Sequence, residues 1–268
     1  MLNMSSLGQF DHERRRRIYE YVEQNGAVKP EAARKALLVK PETSSKPARS
    51  GGDLDPSVPM PREEFEHHVS ILERDGHIEE VDGRLRVALP IDADATTVEF
   101  DDLTATVRPA RQEDISGIVG VIESIAAVSS YVVATRLANE VTRDEVLLRH
   151  NESEDRVFFV ATVDDDAVGW LHVEVVQAPM MNHTAELTVG VLEQYRGNGL
   201  GSTLMERGLE WAERRGTRKV YQNLPATNKP AISFLEDAGW TVESTRDGHY
   251  CIDDELVDEV QLAVWLDE

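Results

Sequence analysis

The chain has 268 residues, 41% of them hydrophobic, with 50 acidic against 28 basic side chains and a formal net charge of −22. That length accommodates one large or two modest domains, and so strong a negative charge argues against the whole chain acting as a non-specific nucleic-acid binder. No run of 18 apolar residues occurs, so neither a transmembrane helix nor a membrane partner is expected, and a single cysteine, Cys251, argues against a disulfide scaffold or a Cys-based metal cluster.

The first residues carry no apolar stretch ahead of their charges, unlike a secretory signal, and a cytoplasmic location is expected. The 28 basic residues divide into 22 Arg and 6 Lys. An acidic, lysine-poor surface suits a protein kept in solution in very salty cytoplasm, a halophile-like reading that stands beside that of an ordinary acidic enzyme. The charge is uneven: residues 1–90 hold 14 basic and 16 acidic side chains, net −2, which leaves −20 for residues 91–268. Two units with different surfaces are expected.

In the first unit, DHERRRRIYEYVEQNG reads as a helix with Ile18, Tyr21 and Val22 at helical spacing and Asn25-Gly26 as the stop. Pro30 opens a short second helix. Residues 40–61, rich in Pro, Ser and Gly, read as a disordered insertion. A third helix follows, with Phe65, Val69 and Leu72 as its apolar stripe and Gly76 as its stop. HIEEVDGRLRVAL reads as a hairpin turning at Asp82-Gly83.

Three helices and a hairpin resemble a winged helix-turn-helix domain, although that family joins its second and third helices by a short turn. Its third helix usually enters the DNA major groove. Here the polar face of that helix carries Glu63, Glu64, Glu66 and Glu73, which would repel phosphates, whereas Arg14–Arg17 and Arg84/Arg86 favour DNA. DNA binding and a protein-interaction or dimerisation role, including a homodimer, both stay open.

Residues 91–103 read as an acidic connector to a mixed α/β domain over residues 104–268. Its expected elements are a strand at 104–110, helices at 111–128 and 139–150, and strands hinged at Asp164–Asp166. TAELTVGVL is then a strand, GLGSTLMERGLEWAERRG a helix, RKVYQNL a strand and NKPAISFLEDAG a helix, with two closing strands after it. The overall expectation is an α/β fold, a mixed sheet flanked by helices, preceded by a small, mostly helical domain.

The chemistry concentrates where the strand ending at Val191 runs through Arg196-Gly197-Asn198-Gly199-Leu200-Gly201-Ser202 into a helix. Glycines let the backbone approach an anion, and the helix start offers free N–H groups and the positive end of the dipole. A dinucleotide fingerprint would need Gly at 202 and a Walker loop would need Gly-Lys-Ser/Thr, and neither is present. Arg196, Gly199 and Gly201 do match Arg-x-x-Gly-x-Gly.

This loop, the strand AELTVGV before it, the segment from Asn228 to Trp240 after it and the opening VRPARQEDISGI resemble the GNAT superfamily of N-acetyltransferases. The resemblance covers about residues 104–266. It implies an acetyl-CoA-dependent N-acetyltransferase that passes acetyl directly to a primary amine of a protein N-terminus, a lysine or a small molecule. Backbone groups of Val189, Gly190 and Val191 would then bond the pantetheine arm. N–H groups of Gly197, Asn198, Gly199, Leu200, Gly201 and Ser202 would cradle the pyrophosphate, with Arg196 as the signature's arginine, and Asn228 would touch the pantetheine region. A strand N–H near Val191 would stabilise the oxyanion.

By the same resemblance Glu186, five residues before Val191, is the candidate base. A solvent-facing acid is the competing reading. The family's usual acid, a Tyr seven residues after the Asn, is here Leu235, and a Glu that some members place five residues before the Asn is here Asn223. Tyr221 or Tyr195 are the candidate replacements. Cys251 could carry acetyl covalently but more often such a residue packs. His172, Glu174 and His183 are candidates to line the amine site, and residues 124–140 around Tyr131 are the candidate acceptor region. No metal-ligand spacing appears. The alternative function is a transcription regulator whose second domain senses acetyl-CoA without turnover.

Overall fold

The computed structural model describes residues 12–40, 57–88, 94–100, 103–128, 132–150, 154–178 and 180–266. The chain divides into two compact units between Leu89 and Pro90.

In the first unit, helix α1 (Glu13–Asn25) starts at His12, whose Nδ1 accepts the Arg14 N–H, and ends at Gly26 with φ of 65°. It buries Ile18, Tyr19 and Val22. Tyr19, not Tyr21, takes the inward place, with its ring edge-on to His77. Helix α2 (Pro30–Ala36) begins at the expected proline. Strands β1 (Leu38–Val39) and β2 (Val58–Pro59) then pair with each other, and Met60 N–H donates to Leu37 O at 2.9 Å. The segment expected to be a disordered insertion is therefore held together at both ends; residues 41–56 within it lie outside the described residues. Helix α3 (Arg62–Arg74) buries Phe65, His68, Val69 and Leu72, and Ile71 is only half-buried. Strands β3 (Ile78–Val81) and β4 (Arg84–Val87) form the hairpin, with Asp82 and Gly83 both at positive φ as a two-residue turn demands. Val28, between α1 and α2, bridges to Leu85 of β4 with two hydrogen bonds of 2.8 Å.

The second unit is built on a nine-stranded sheet. Its elements are β5 (Thr96–Phe100), β6 (Leu103–Pro109), α4 (Ile115–Val128), α5 (Val132–Asp144), β7 (Arg149–His150), β8 (Glu154–Val163), β9 (Asp166–Val176), β10 (Thr184–Val191), α6 (Leu200–Arg214), β11 (Lys219–Pro225), α7 (Lys229–Asp237), β12 (Thr241–Ile252) and β13 (Glu255–Trp265). The strand order is β12-β13-β11-β10-β9-β8-β6-β5, with β7 beside β8. Among the described strand pairs of this sheet only β10–β11, joined through α6, is parallel.

Several expectations change here. The segment read as an acidic connector supplies β5, a full partner of β6, because Thr96, Val98 and Phe100 alternate with acidic or polar neighbours and extend the sheet. The helix expected at 139–150 lies earlier, at Val132–Asp144, and Arg149–His150 pairs with β8 instead. The candidate acceptor region 124–140 thus falls largely within α4 and α5; Tyr131 lies outside the described residues. The closing strands run longer than expected and turn at Asp253-Asp254, both at positive φ, as do Asp164-Asp165 between β8 and β9.

Strand alternation sorts the sheet's two faces. Phe158, Val160 and Trp170 face α4 and α5, where they join Ile118, Ile122 and Val141 in the core. Leu171 and Val173 face α6. Gly208 lets that helix sit close, since a Cβ there would fall 2.6 Å from Leu171.

Candidate active site

Strands β10 and β11 pair over only three residues: Thr184 with Lys219, Ala185 with Val220, and Glu186 with Tyr221. Both strands continue, β10 to Val191 and β11 to Pro225, but they are no longer paired. The sheet opens into a cleft on the C-terminal side of Glu186 and Tyr221. On its other edge β10 stays paired with β9 through Val191, and Leu192 N–H donates to Val168 O at 2.9 Å. Hydrogen bonding alternates along an antiparallel strand. Residues 192, 190 and 188 therefore turn their backbone groups to β9, and Leu187, Val189 and Val191 turn theirs to the cleft.

The wide end of the cleft meets the Gly-rich loop. Gly197 and Gly199 take φ of 79° and 82°, and Gly199 caps α6. The first α-helical backbone bond runs from Thr203 N–H to Gly199 O. The N–H groups of Leu200, Gly201 and Ser202 consequently have no acceptor within the helix. Arg196 is exposed, and its Nε donates to Val191 O at 2.9 Å, tying the loop to the end of β10. Phe234 of α7 lies against Gly201, at 3.4 Å from where a Cβ would be. Asn228 caps α7, its Oδ1 accepting the Ala231 N–H at 3.4 Å, which leaves its amide nitrogen uncommitted to that bond. Together the free helix N–H groups, the two left-handed glycines, the cleft-facing backbone of Val189 and the Val191 N–H, whose own carbonyl accepts from Arg196, offer an anion cradle followed by a strip of donors and acceptors. A pyrophosphate bearing an amide-containing arm fits that donor set.

At the narrow end, a polar row crosses the sheet on the face of α4 and α5. Tyr221 of β11 is the register partner of Glu186, Glu186 of Glu174 on β9, and Glu174 of Arg156 on β8. The Glu186 side chain is 25% exposed, so it is neither a freely solvated acid nor sealed. Burial raises its pKa, Arg136 opposes, and Glu259 and Glu140 add to the rise. Glu174 is pushed up to about 7 by burial, then by Glu154 and Glu140, with Arg156 opposing and Glu186 adding. Tyr221 is raised by burial and by both carboxylates, which keeps its hydroxyl protonated. Gly190 admits no side chain: a Cβ would lie 2.9 Å from both Ile125 and Trp170.

The remaining candidates separate. His172 is fully buried against the Phe158 ring and its pKa is driven well down by burial, so it is a neutral core residue beside Glu174. His183 is exposed in the turn before β10. Tyr195 is half-buried and edge-on to Phe100. Leu235 is buried in α7, and Asn223 Oδ1 accepts from Gln261 at 3.1 Å. Cys251 is exposed on β12, which removes the packing reading. No group of three metal-ligating side chains occurs among the described residues, and none of their helices is long and apolar enough to cross a membrane.

Sequence reading included Arg136 and Glu140 only as part of the candidate acceptor region 124–140, without a role for either, and missed Glu259. Arg136 Nη2 lies 3.9 Å from Glu186 Oε1, and Glu140 accepts from the buried Arg156 at 2.8 Å. Glu259 of β13 is buried and bonded by Arg246 and by the Tyr250 hydroxyl. The first two lie on a helix whose bounds were misplaced. The third sits on the far side of β11, which no local pattern places near β10.

The family model of the acetyltransferase (GNAT) family matches residues 119–240. The L-amino acid N-acetyltransferase AaaT of Escherichia coli (strain K12) is 28% identical over 105 residues, 39% of this chain and 65% of that protein. An N-alpha-acetyltransferase of Saccharolobus solfataricus is 24% identical over 159 residues, 54% of this chain and 85% of that protein. Among solved structures, yncA from Salmonella typhimurium with its cofactor acetyl-CoA has a TM-score of 0.50 at 19% identity, covering 61% of this chain and 95% of that one. The GNAT-family acetyltransferase from Streptococcus pneumoniae has a TM-score of 0.50 at 16% identity, covering 60% and 99%. The two structures speak for the fold, and the family match and the relatives speak for the activity. Residues 119–240 thus match the acetyltransferase (GNAT) family, and these relatives support an N-acetyltransferase.

Proposed function

We propose that acetyl transfer to a primary amine takes place where β10 and β11 part, with Glu186 as base and Tyr221 as acid. The supporting observation is the end of strand pairing at these two residues, with the α6 N-terminus at the mouth of the same cleft. Acetyl-CoA, when bound, supplies the thioester. N–H groups of Gly197, Asn198, Gly199, Leu200, Gly201 and Ser202 hold its pyrophosphate, and Arg196 fixes the loop they sit on. The backbone of Val189 and Val191 and the Asn228 amide orient the arm, whereas Gly190, whose backbone groups turn to β9, contributes only the lack of a side chain. From Val191 back to Leu187 is about 13 Å of strand, which sets the reacting carbonyl at the narrow end.

There Glu186 takes the proton from the amine as its nitrogen bonds to the carbonyl carbon. A cleft-facing N–H of Val189 or Val191 carries the oxyanion charge. As the C–S bond breaks, the Tyr221 hydroxyl gives its proton to sulfur. The raised Glu186 pKa makes it a stronger base than an exposed carboxylate, and the carboxylates around Tyr221 keep it a proton donor. A thiol pKa near ~8.5 makes the thiolate a fair leaving group, so the acid assists without being indispensable. Thiol release with a panel of amines tests the activity. Tight acetyl-CoA binding without release for any amine would overturn it.

The first unit supports a winged-helix module: α1, the Val28 bridge, α2, α3 and the β3–β4 hairpin follow that order, and the β1–β2 pair closes the long segment between α2 and α3 at its base. Four of the arginines that favour DNA are engaged within the fold. Arg14 pairs with Glu64, Arg17 donates to Leu38 O, Arg84 to Ala27 O, and Arg86 pairs with Glu79. This supports a protein-contact role over DNA reading. Sequence-selective retention of genomic fragments at the cell's own salt would reverse that choice.

A further inference from the structure

Arg136 stands on α5 with its side chain 66% exposed and its guanidinium 3.9 Å from the Glu186 carboxylate. That separation is beyond hydrogen-bonding reach. Other arginines of this unit close on their partners: Arg108 on Asp114 at 2.6 Å, Arg149 on Glu154 at 2.7 Å and Arg156 on Glu140 at 2.8 Å. Arg136 and Glu186 instead face each other as two opposite charges across a short gap. Around Arg136 the surface dips into an open depression of about 710 Å³, bordered by Thr135, Asn139, Glu140 and Arg143.

The position matters because Arg136 opposes the nearby carboxylates that raise the pKa of Glu186. Glu174 is its strand partner, and Glu259 and Glu140 both raise its pKa. In a unit of net charge −20, a polyamine or a lysine would meet attraction over much of the surface but repulsion at Arg136 and at Arg143 on the border of the same depression. An acceptor that carries a negative group beside its amine meets the reverse: its carboxylate matches Arg136 while its nitrogen reaches Glu186. A free α-amino acid has that pattern, since its two charged groups sit on one carbon.

We propose that Arg136 and Glu186 form a receptor for the zwitterionic head of a free α-amino acid, with Arg136 taking the carboxylate and so selecting the acceptor. A peptide N-terminus has no α-carboxylate and is discriminated against, as are polyamines. The assignment builds on the reading of Glu186 as base. Arg136 is a specificity residue, and the guanidinium–carboxylate contact is the kind made in bidentate fashion elsewhere.

The experiment compares free L-amino acids with their primary amides, in the full chain, by kcat/KM for thiol release and by calorimetric affinity. The amide's amine deprotonates more readily, so without carboxylate recognition the amide is at least as good a substrate. A charge-assisted contact predicts a preference of about 10- to 100-fold for the acid. Arg136→Gln should bring that ratio to near one, and Arg136→Lys should retain part of it. The ratio cancels any effect of Arg136 on the basicity of Glu186, because both acceptors share that base. Equal use of acid and amide by the wild-type chain, or a preference that survives in Arg136→Gln, overturns the assignment. Affinity for the acid over the amide that depends on Arg136, without thiol release, supports it while overturning the transfer reading. Thiol release with amides and acids alike does the opposite.

Discussion

Glu186 and Tyr221 are direct register partners on the two parallel strands of the second unit, and they form the last pair before those strands part. Their side chains share the face that carries Glu174 and Arg156. The proposed proton acceptor and proton donor thus stand side by side where the strands part, each with its pKa raised chiefly by burial.

Glu186→Gln should lower kcat/KM by about 10²- to 10⁴-fold with acetyl-CoA affinity retained. The base must be ionised, so wild-type activity rises with pH through a limb lying above the ordinary carboxylate range. That limb should flatten in the variant. Steady-state kinetics from pH 5 to 9 gives both answers, and an unaltered limb would remove Glu186 from the role.

Gly199→Ala should weaken acetyl-CoA binding and cost stability. Gly199 sits at φ of 82° with open space around it, so the cost is conformational, about 1–2 kcal/mol, and no clash contributes. Gly201→Ala is the contrast: its conformation is ordinary and a Cβ meets Phe234 at 3.4 Å, a normal contact. Calorimetric titration with CoA should rank the affinities wild type, Gly201→Ala, Gly199→Ala in falling order.

Glu174→Gln should stabilise the protein at pH 8 and do little at pH 4. The folded pKa of about 7 lies above the unfolded value near 4.5. Between these values the folded state binds more protons, so this group's contribution falls as pH rises through that window. The ionised side chain then costs up to about 3 kcal/mol at pH 8, which the neutral amide avoids. Thermal melts at the two pH values decide it; an equal gain at both would mean that titration is not the cause.

Arg156→Met should destabilise by about 3 kcal/mol or more. The guanidinium is buried, donating to Glu140 at 2.8 Å and to Val146 O at 3.0 Å, and its loss strands both acceptors. Adding Glu140→Leu should recover part of the loss, and a double-mutant cycle by urea unfolding measures how much.

Local chemistry made much of this protein legible in the sequence. The strand, Gly-rich turn and helix around residues 189–202 follow from positions where only glycine readily takes positive φ. The Asp82-Gly83 turn follows from residues that tolerate the left-handed region. Strand alternation set Glu186 on the face opposite Val189 and Val191, and the register agrees. By contrast, residues 96–100 look like a connector because Asp92, Asp94, Asp101 and Asp102 flank a short strand at the edge of the sheet and give the whole segment an acidic, loop-like composition. The bounds of α5 are obscured because Val146, Leu147 and Leu148 continue the apolar pattern of its stripe, Leu137, Ala138 and Val141, past its end and suggest a helix running on to residue 150.

What the sequence determined by itself is most of the helices and central strands and the glycine-rich loop proposed to hold an anion, because backbone conformation and capping depend on a few neighbouring residues. What only the tertiary structure decided is which side chains share the cleft: Tyr221 beside Glu186, Arg136 across from it, Glu259 behind it. Those meetings depend on strand register and helix docking, which are set by burying apolar faces contributed from distant parts of the chain.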